Sequence, residues 1–466
     1  MTGKRKRKLA MPDTLIIVAS VVLLVAILSW IIPSGTYDYQ EMNINGRIRN
    51  VAIDGTYHTI DQSEVTTTGF LGFFSVLYRG CVEAADVIFM ILCCCGTFGV
   101  VVKTGAFHAG IGTILKKLKG KEILLVPIIM MIFGLGGSVF GMASEFYGFY
   151  PLIVGLGVAL GYDAMFGFAI IAVGEFVGFM GATLNPYSVG IAQTISGVEL
   201  YSGTGYRAIC FVIFMAISII YVMIYGRKIK KNPGASVVFG EKNIHAFDRD
   251  ELNEYSFTLK DGLVLLDVLV VLVVLMLGLI KWGWDFPQLC GLFLLMSMIA
   301  AAICKWSPNK WCSEFIDSAK TAMWGCILTG IAKAITVVMQ DAQIMDTVIY
   351  GLSNVLKNAP HAVSAQVMLV VQTLINFFIP SATGQASATM PIMAQLADII
   401  GVSRQTAVLA FQFGDGLSNI FWPTADIVII CGLGGISLQK WYKWFTPLFL
   451  ILFVTQAILL GIATGI

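Results

Sequence analysis

Long apolar stretches, interrupted at regular intervals by glycine, proline and single acids, make up most of this chain. Residues 14–37 carry no charged side chain over 24 positions, more than the roughly 20 a helix needs to cross a bilayer. The basic run Lys4-Arg5-Lys6-Arg7-Lys8 ahead of it is shared with secretory signals, but the apolar run is too long for one and lacks a small-residue cleavage site. Apolar periodicity places uninterrupted spans at 13–33, 84–104, 206–225, 262–281, 287–304, 318–340 and 444–465, with amphipathic surface stretches near 69–80 and 308–317. Stretches 122–160 and 364–400 are apolar at both ends and rich in small and polar residues between, which suits a re-entrant hairpin whose tip is buried in protein. Stretches 164–200 and 404–433 read as helices that break part-way across, giving nine crossings and two hairpins in all.

The punctuation repeats. Pro151, Gly161, Gly174 and Glu175 match Pro391, Gly401, Gly414 and Asp415 at a constant offset of 240 (391 − 151 and 415 − 175 alike). Each copy then runs into a polar, proline-containing break, at 181–188 in the first and 415–424 in the second. Paired interruptions at matching places in two hydrophobic halves point to the binding site of a secondary transporter. The expected fold class is an all-α polytopic membrane protein of two inverted repeats, each with a hairpin and a broken helix. The expected domains are a first repeat at 1–225, a cytoplasmic linker at 226–260, and a second repeat with one extra span at 261–466.

Lysine and arginine set the orientation. Lys116, Lys117, Lys119, Lys121, Arg227, Lys228, Lys230, Lys231, Lys305, Lys310, Lys440 and Lys443 fall on one side of this topology. The N-terminus is then cytoplasmic, the polar segment 34–68 and the C-terminus are outside, and the protein spans the cell's inner membrane many times.

Composition agrees: 57% hydrophobic and 12% charged residues are too apolar for one soluble core. The net charge of +2 carries no sign of a nucleic-acid partner. Cys93-Cys94-Cys95 and most other cysteines sit in apolar runs, and His58, His108, His245 and His361 are scattered, so no metal site is expected. No catalytic function is expected either: Asp163 and Asp415 superficially match an intramembrane aspartyl protease, but Gln412 removes its Gly-x-Gly-Asp turn.

The chemistry concentrates in the breaks and tips. Thr183, Asn185, Tyr187 and Ser188 in one break, and Ser418, Asn419 and Thr424 in the other, can coordinate a solute where helix ends supply further dipoles. The alternative is a pair of proline kinks. Four acids, Glu145, Glu175, Asp415 and Asp426, fall at membrane depth, where a charge costs on the order of 3 kcal/mol and ordinarily serves a pathway or a partner. Lys333 is the obvious ion-pair partner, and four acids against one lysine leave an excess of negative charge. That excess favours a cationic solute such as arginine or ornithine over a dicarboxylate, although Na⁺ or H⁺ coupling also calls for acids.

The string Asn185-Pro186-Tyr187-Ser188-Val189-Gly190-Ile191-Ala192-Gln193 resembles the YfcC-type, ArcD-like basic amino acid antiporter branch of the C4-dicarboxylate anaerobic carrier family. Met11-Pro12-Asp13-Thr14 and Ile31-Ile32-Pro33-Ser34-Gly35-Thr36-Tyr37 are similar to that branch as well. The resemblance implies the ion transporter superfamily fold, with a scaffold domain, a mobile transport domain, a homodimer and an elevator motion. It implies that substrate is held by Ser144, Ser381 and Thr383 at the tips and by Asn185 and Asn419 in the breaks. Neither tip spells the Ser-Asn-Thr triplet of the dicarboxylate/sodium symporters. The expectation is a secondary carrier exchanging basic amino acids, or else moving a dicarboxylate or other organic anion with Na⁺ or H⁺. Its site would comprise Ser144, Glu145, Glu175, Thr183, Asn185, Tyr187, Ser381, Thr383, Gln385, Asp415, Ser418, Asn419 and Thr424.

Overall fold

The computed structural model describes residues 14–44, 47–118, 122–241, 245, 257–357, 363–399 and 401–465. The basic run at 4–8, Met11-Pro12-Asp13, Lys119, Lys121, His361 and most of the linker after residue 241 lie outside the described residues. Helix α1 (Thr14–Leu28) leads into strands β1 (Gly35–Thr36), β2 (Tyr39–Ile44), β3 (Arg47–Ala52) and β4 (His58–Thr59). There follow α2 (Phe70–Glu83), α3 (Ala85–Lys103), α4 (Ala106–Leu118), α5 (Leu125–Leu135), α6 (Phe149–Ala159), α7 (Ala164–Met180), α8 (Val189–Ile195) and α9 (Thr204–Lys231). The second half comprises α10 (Leu259–Lys281), α11 (Phe286–Ile303), α12 (Pro308–Lys320), α13 (Met323–Asp341) and α14 (Met345–Lys357), then α15 (Ser364–Phe378), α16 (Ala382–Ile399), α17 (Arg404–Ser418), α18 (Asp426–Gly434) and α19 (Leu438–Ala463).

Local chemistry starts these helices where the chain turns. Thr258 and Asp261 form a capping box at α10, and Asp285 and Gln288 form another at α11. Asp163, Ser307 and Ser403 cap α7, α12 and α17 by accepting backbone N–H bonds. Among the described residues, α3, α9, α10, α11, α13 and α19 are each long and apolar enough to cross a bilayer. The other three expected crossings fall on α1 and on the interrupted pairs α7/α8 and α17/α18, whose segments are individually shorter. Ile209, Val212, Ile220 and Ile224 on α9, and Leu263, Leu266, Leu269 and Val270 on α10, are exposed. Apolar faces of that extent suit hydrocarbon as their solvent. This is a helical, multi-pass membrane protein.

The elements follow one order in both halves: α2 to α9 parallel α12 to α19. Their packing is reciprocal. Helix α2 lies on α13 while its counterpart α12 lies on α3, and α1 packs on α13 as α11 packs on α3. Both hairpin arms α5 and α6 pack against α7, and α15 and α16 both pack against α17. The two interrupted helices cross at Met180 and Gly416, where a Cβ on the glycine would meet the Met180 backbone at 2.4 Å.

Several boundaries differ from expectation. Helix α17 continues through Asp415 to Ser418, because the Asn419 N–H still bonds back to the Asp415 carbonyl while the Ser418 hydroxyl folds onto the Gly414 carbonyl, so the second break is 419–425. The second hairpin's tip is only Ile379–Ser381, since the Ser381 hydroxyl accepts from the Gly384 N–H and restarts the helix. Thr383 and Gln385 therefore sit in the first turns of α16. Helices α4 and α14 occupy stretches that apolar-run length had left as connections.

The polar segment after α1 folds into two antiparallel ribbons, β1 with β4 and β2 with β3. Asp346 at the start of α14 anchors them, accepting from the Tyr39 hydroxyl at 2.8 Å, the Tyr37 N–H at 3.0 Å and the Thr36 hydroxyl at 3.2 Å. Burial, reinforced by the Asp346 carboxylate, holds the Tyr39 phenol well above its ordinary pKa.

Helix α5 and its continuation approach α7 backbone to backbone, as small residues allow in membranes. A Cβ at Gly178 would lie 2.1 Å from the Gly134 carbonyl oxygen. We expect Gly178→Val to cost about 3 kcal/mol, the upper range for overpacking a tight contact. The readout is a lowered melting temperature in detergent, against unchanged melting for Gly205→Ala, whose Cβ meets nothing within 4 Å.

Candidate functional site

Unwound backbone inside a membrane needs partners for its carbonyls and amides. In the first break, the Ser138 hydroxyl donates to the Gly181 carbonyl at 3.0 Å, and the Arg207 guanidinium donates to the Thr183 carbonyl at 3.0 Å. Asn185 turns the chain by accepting from the N–H groups of Tyr187 and Ser188, while its amide leans on the Gly137 carbonyl. Thr183 bonds Ser138, and the Tyr187 carbonyl accepts from Thr383 at 2.9 Å. This break is closed by its own protein.

The second break is held from α15 and α19. Trp441 donates to the Ile420 carbonyl at 2.8 Å, Tyr442 to the Phe421 carbonyl at 2.7 Å, and Asn376 to the Asp415 carbonyl at 3.0 Å. Asn376 also reaches Ser418 and Asn419. Gln385 is spent on Gln372. The Thr424 hydroxyl, in a residue 3% exposed, has no hydrogen-bond partner.

A cavity of about 510 Å³ opens where this break meets both hairpin tips and α13. Ala143, Ser144 and Tyr147 line it from the first tip, Pro380 and Ser381 from the second, and Thr424, Ala425 and Asp426 from the second break. Thr329, Lys333, Thr336 and Gln340 form the α13 wall, and Glu83 lies on the α2 side. Asp426 accepts from the Tyr147 hydroxyl at 2.6 Å. The first turns of α16 and α18 border the cavity; the α16 N-terminus adds positive potential, while that of α18 carries the Asp426 carboxylate.

Ser144, Ser381 and Thr424 are thus the expected site residues that line the cavity. Glu145 is buried beside it, folded back so that its carboxylate accepts from the Ala143 N–H. Glu175 is fully buried and accepts from Tyr150 at 2.8 Å. Asp415, its repeat mate, is fully buried with both carboxylate oxygens unbonded and the Asn419 side chain nearby. The reading of Lys333 as an ion-pair partner is not realised: among the described residues no acid stands within pairing distance of it. Asp163 caps α7 and also accepts from Ser236, occupied far from any protease-like role. Thr329, Thr336 and Gln340 were not singled out from sequence, and Tyr147 stood out there only as an aromatic bordering the first tip. Thr329, Lys333, Thr336 and Gln340 do share one α-helical face, spaced four, three and four residues apart, and that polar stripe in an apolar run was the available signal.

The sequence profile of the C4-dicarboxylate anaerobic carrier (DcuC) family matches residues 11–465. The chain belongs to that family. It is 32% identical to an Escherichia coli (strain K12) protein named, provisionally, basic amino acid antiporter YfcC, over 98% of this chain and 97% of that one. An uncharacterized Haemophilus influenzae protein is 27% identical over 100% of this chain and 99% of its own length. Among solved structures, the Alcanivorax borkumensis YdaH transporter aligns with a TM-score of 0.44 and 16% identity, covering 97% of this chain and 98% of its own. Neisseria gonorrhoeae MtrF gives 0.44 and 16% over 98% and 96%. Family membership makes this carrier a secondary transporter, with a small-molecule substrate and the lipid bilayer as its surroundings.

The Tyr147–Asp426 bond separates structural from solute-binding roles. Tyr147→Phe leaves a buried carboxylate short of a donor and should lower stability by about 1–3 kcal/mol. Asp426→Asn keeps an acceptor for Tyr147, so melting should stay near wild type while solute flux in proteoliposomes falls at least about tenfold.

Proposed function

We propose that this carrier is a basic amino acid antiporter working by alternating access. One observation carries the reading: a single cavity presents Lys333 on one wall and Asp426 on another, bonded to Tyr147 and not to the lysine. A zwitterion matches that separation, with its carboxylate toward Lys333 and its ammonium toward Asp426. Glu83, exposed on the α2 side of the same cavity, suits the distal cation of an arginine or ornithine side chain. Net negative charge, the original argument for a cationic solute, plays a smaller part here, because Glu145, Glu175 and Asp415 do not line the cavity. The provisional name of the Escherichia coli relative points the same way.

The mechanism in this reading is an elevator. The two halves are inverted repeats, with α1 to α3 and α11 to α13 as a scaffold and the hairpins with interrupted helices as the moving body. Reciprocal packing of α2 on α13 and α12 on α3 supports the two-fold relation, and the cavity's position between α13 and the hairpin tips supports a sliding boundary. We further propose a homodimer in the inner membrane with a cytoplasmic N-terminus and the C-terminus outside, with Na⁺ or H⁺ able to couple to exchange and no other cofactor.

A second reading, organic-anion transport, is favoured by Lys333 and the helix N-terminus of α16. Counterflow in proteoliposomes decides between them. Internal unlabelled arginine or ornithine should accelerate entry of labelled arginine, and succinate should not compete. Succinate exchange that ignores arginine overturns the basic amino acid assignment.

A further inference from the structure

We infer that Lys333 makes a carboxylate obligatory in the transported solute, so that the carrier takes amino acids and rejects the amines that share their side chains. The inference rests on reading the cavity as the substrate site. Lys333 projects from α13, a helix otherwise largely buried, with Thr329 and Thr336 one turn away on the same face. A cation at this depth without a partner is costly, on the order of 3 kcal/mol, and usually marks a pathway. Asp426 is engaged by Tyr147, and no acid of the described residues pairs with the lysine.

A second observation points at the same ligand. Thr424 lines the cavity, and its hydroxyl, buried beside it, has no partner within the protein. The Lys333 ammonium and the N-terminus of α16 present positive charge and donors around one space, with the unused donor of the Thr424 hydroxyl buried at its edge. A carboxylate, which only accepts and has two oxygens, satisfies them; an amine leaves them unmet and adds charge of the same sign as Lys333. Asp426 remains for the α-ammonium.

The test measures binding and exchange of arginine against agmatine, which lacks the carboxylate, in wild type, Lys333→Gln and Lys333→Arg. Wild type should bind arginine at least about tenfold more tightly than agmatine, consistent with a charge-assisted contact. Lys333→Gln should bring arginine down to the agmatine level, erasing the preference, while Lys333→Arg should keep it. A Lys333→Gln protein that still prefers arginine as strongly as wild type overturns the inference. Melting without ligand shows whether each variant folds; should Lys333→Gln fail to fold, Thr424→Val with Lys333→Arg carries the test, and loss of preference in Lys333→Arg or an unaltered one in Thr424→Val counts against the site. Should wild type ignore arginine and exchange succinate, the basic amino acid reading falls while Lys333 is judged on its own: Lys333→Gln must then lose the preference for succinate over succinamide.

Discussion

The backbone of two helices that stop part-way through a membrane has to be satisfied by something, and this requirement organises the rest of the molecule. Each freed carbonyl in hydrocarbon costs several kcal/mol without a donor. Here the donors come from other elements: Ser138 and Arg207 for the first break, Trp441 and Tyr442 for the second, with Asn376 holding the end of α17 beside it. These bonds tie hairpin, interrupted helix and following helix into one unit in each half. Gln412 then donates to the Phe179 carbonyl at 2.7 Å and joins the two units where the helices cross.

The two breaks share a register in the chain but are closed differently. In the first, the Arg207 guanidinium of α9 reaches the carbonyls of Thr183 and Ser202. Each keeps one buried, unpartnered hydroxyl, Ser188 in the first and Thr424 in the second, but only the second contributes residues, Thr424, Ala425 and Asp426, to the cavity against α13.

Charge follows the same division. Glu175 and Asp415 are repeat mates and both are fully buried, yet neither lines the cavity. Tyr150 serves Glu175 and Tyr147 serves Asp426, so two tyrosines of one hairpin stand beside two acids of different halves. Outside the helical body, Asp346 gathers the ribbons of 35–59 onto α14, and Arg79 pairs with Asp341 nearby. Strand β3 in turn packs on α16 of the second hairpin, so this polar cap is mechanically continuous with the hairpin that borders the cavity.

Apolar run length and the glycine and proline punctuation were enough to locate the long helices and the interruptions after α7 and α17, because each of these depends on local sequence: a span needs length, a break needs residues that leave a helix. The family was legible too, from Asn185–Gln193. Which polar residues meet was not. Ser144, Ser381 and Thr424 line one cavity while Thr183, Asn185 and Gln385 are spent on structure, and nothing in their identities separates the two groups. The ribbons of 35–59 were equally hidden, since their strands are short and are held by Asp346, some three hundred residues away. Lys333 was visible as a lone charge, but whether it pairs with an acid or faces open space depends on the distance between helices remote in sequence. Only tertiary packing sets that distance.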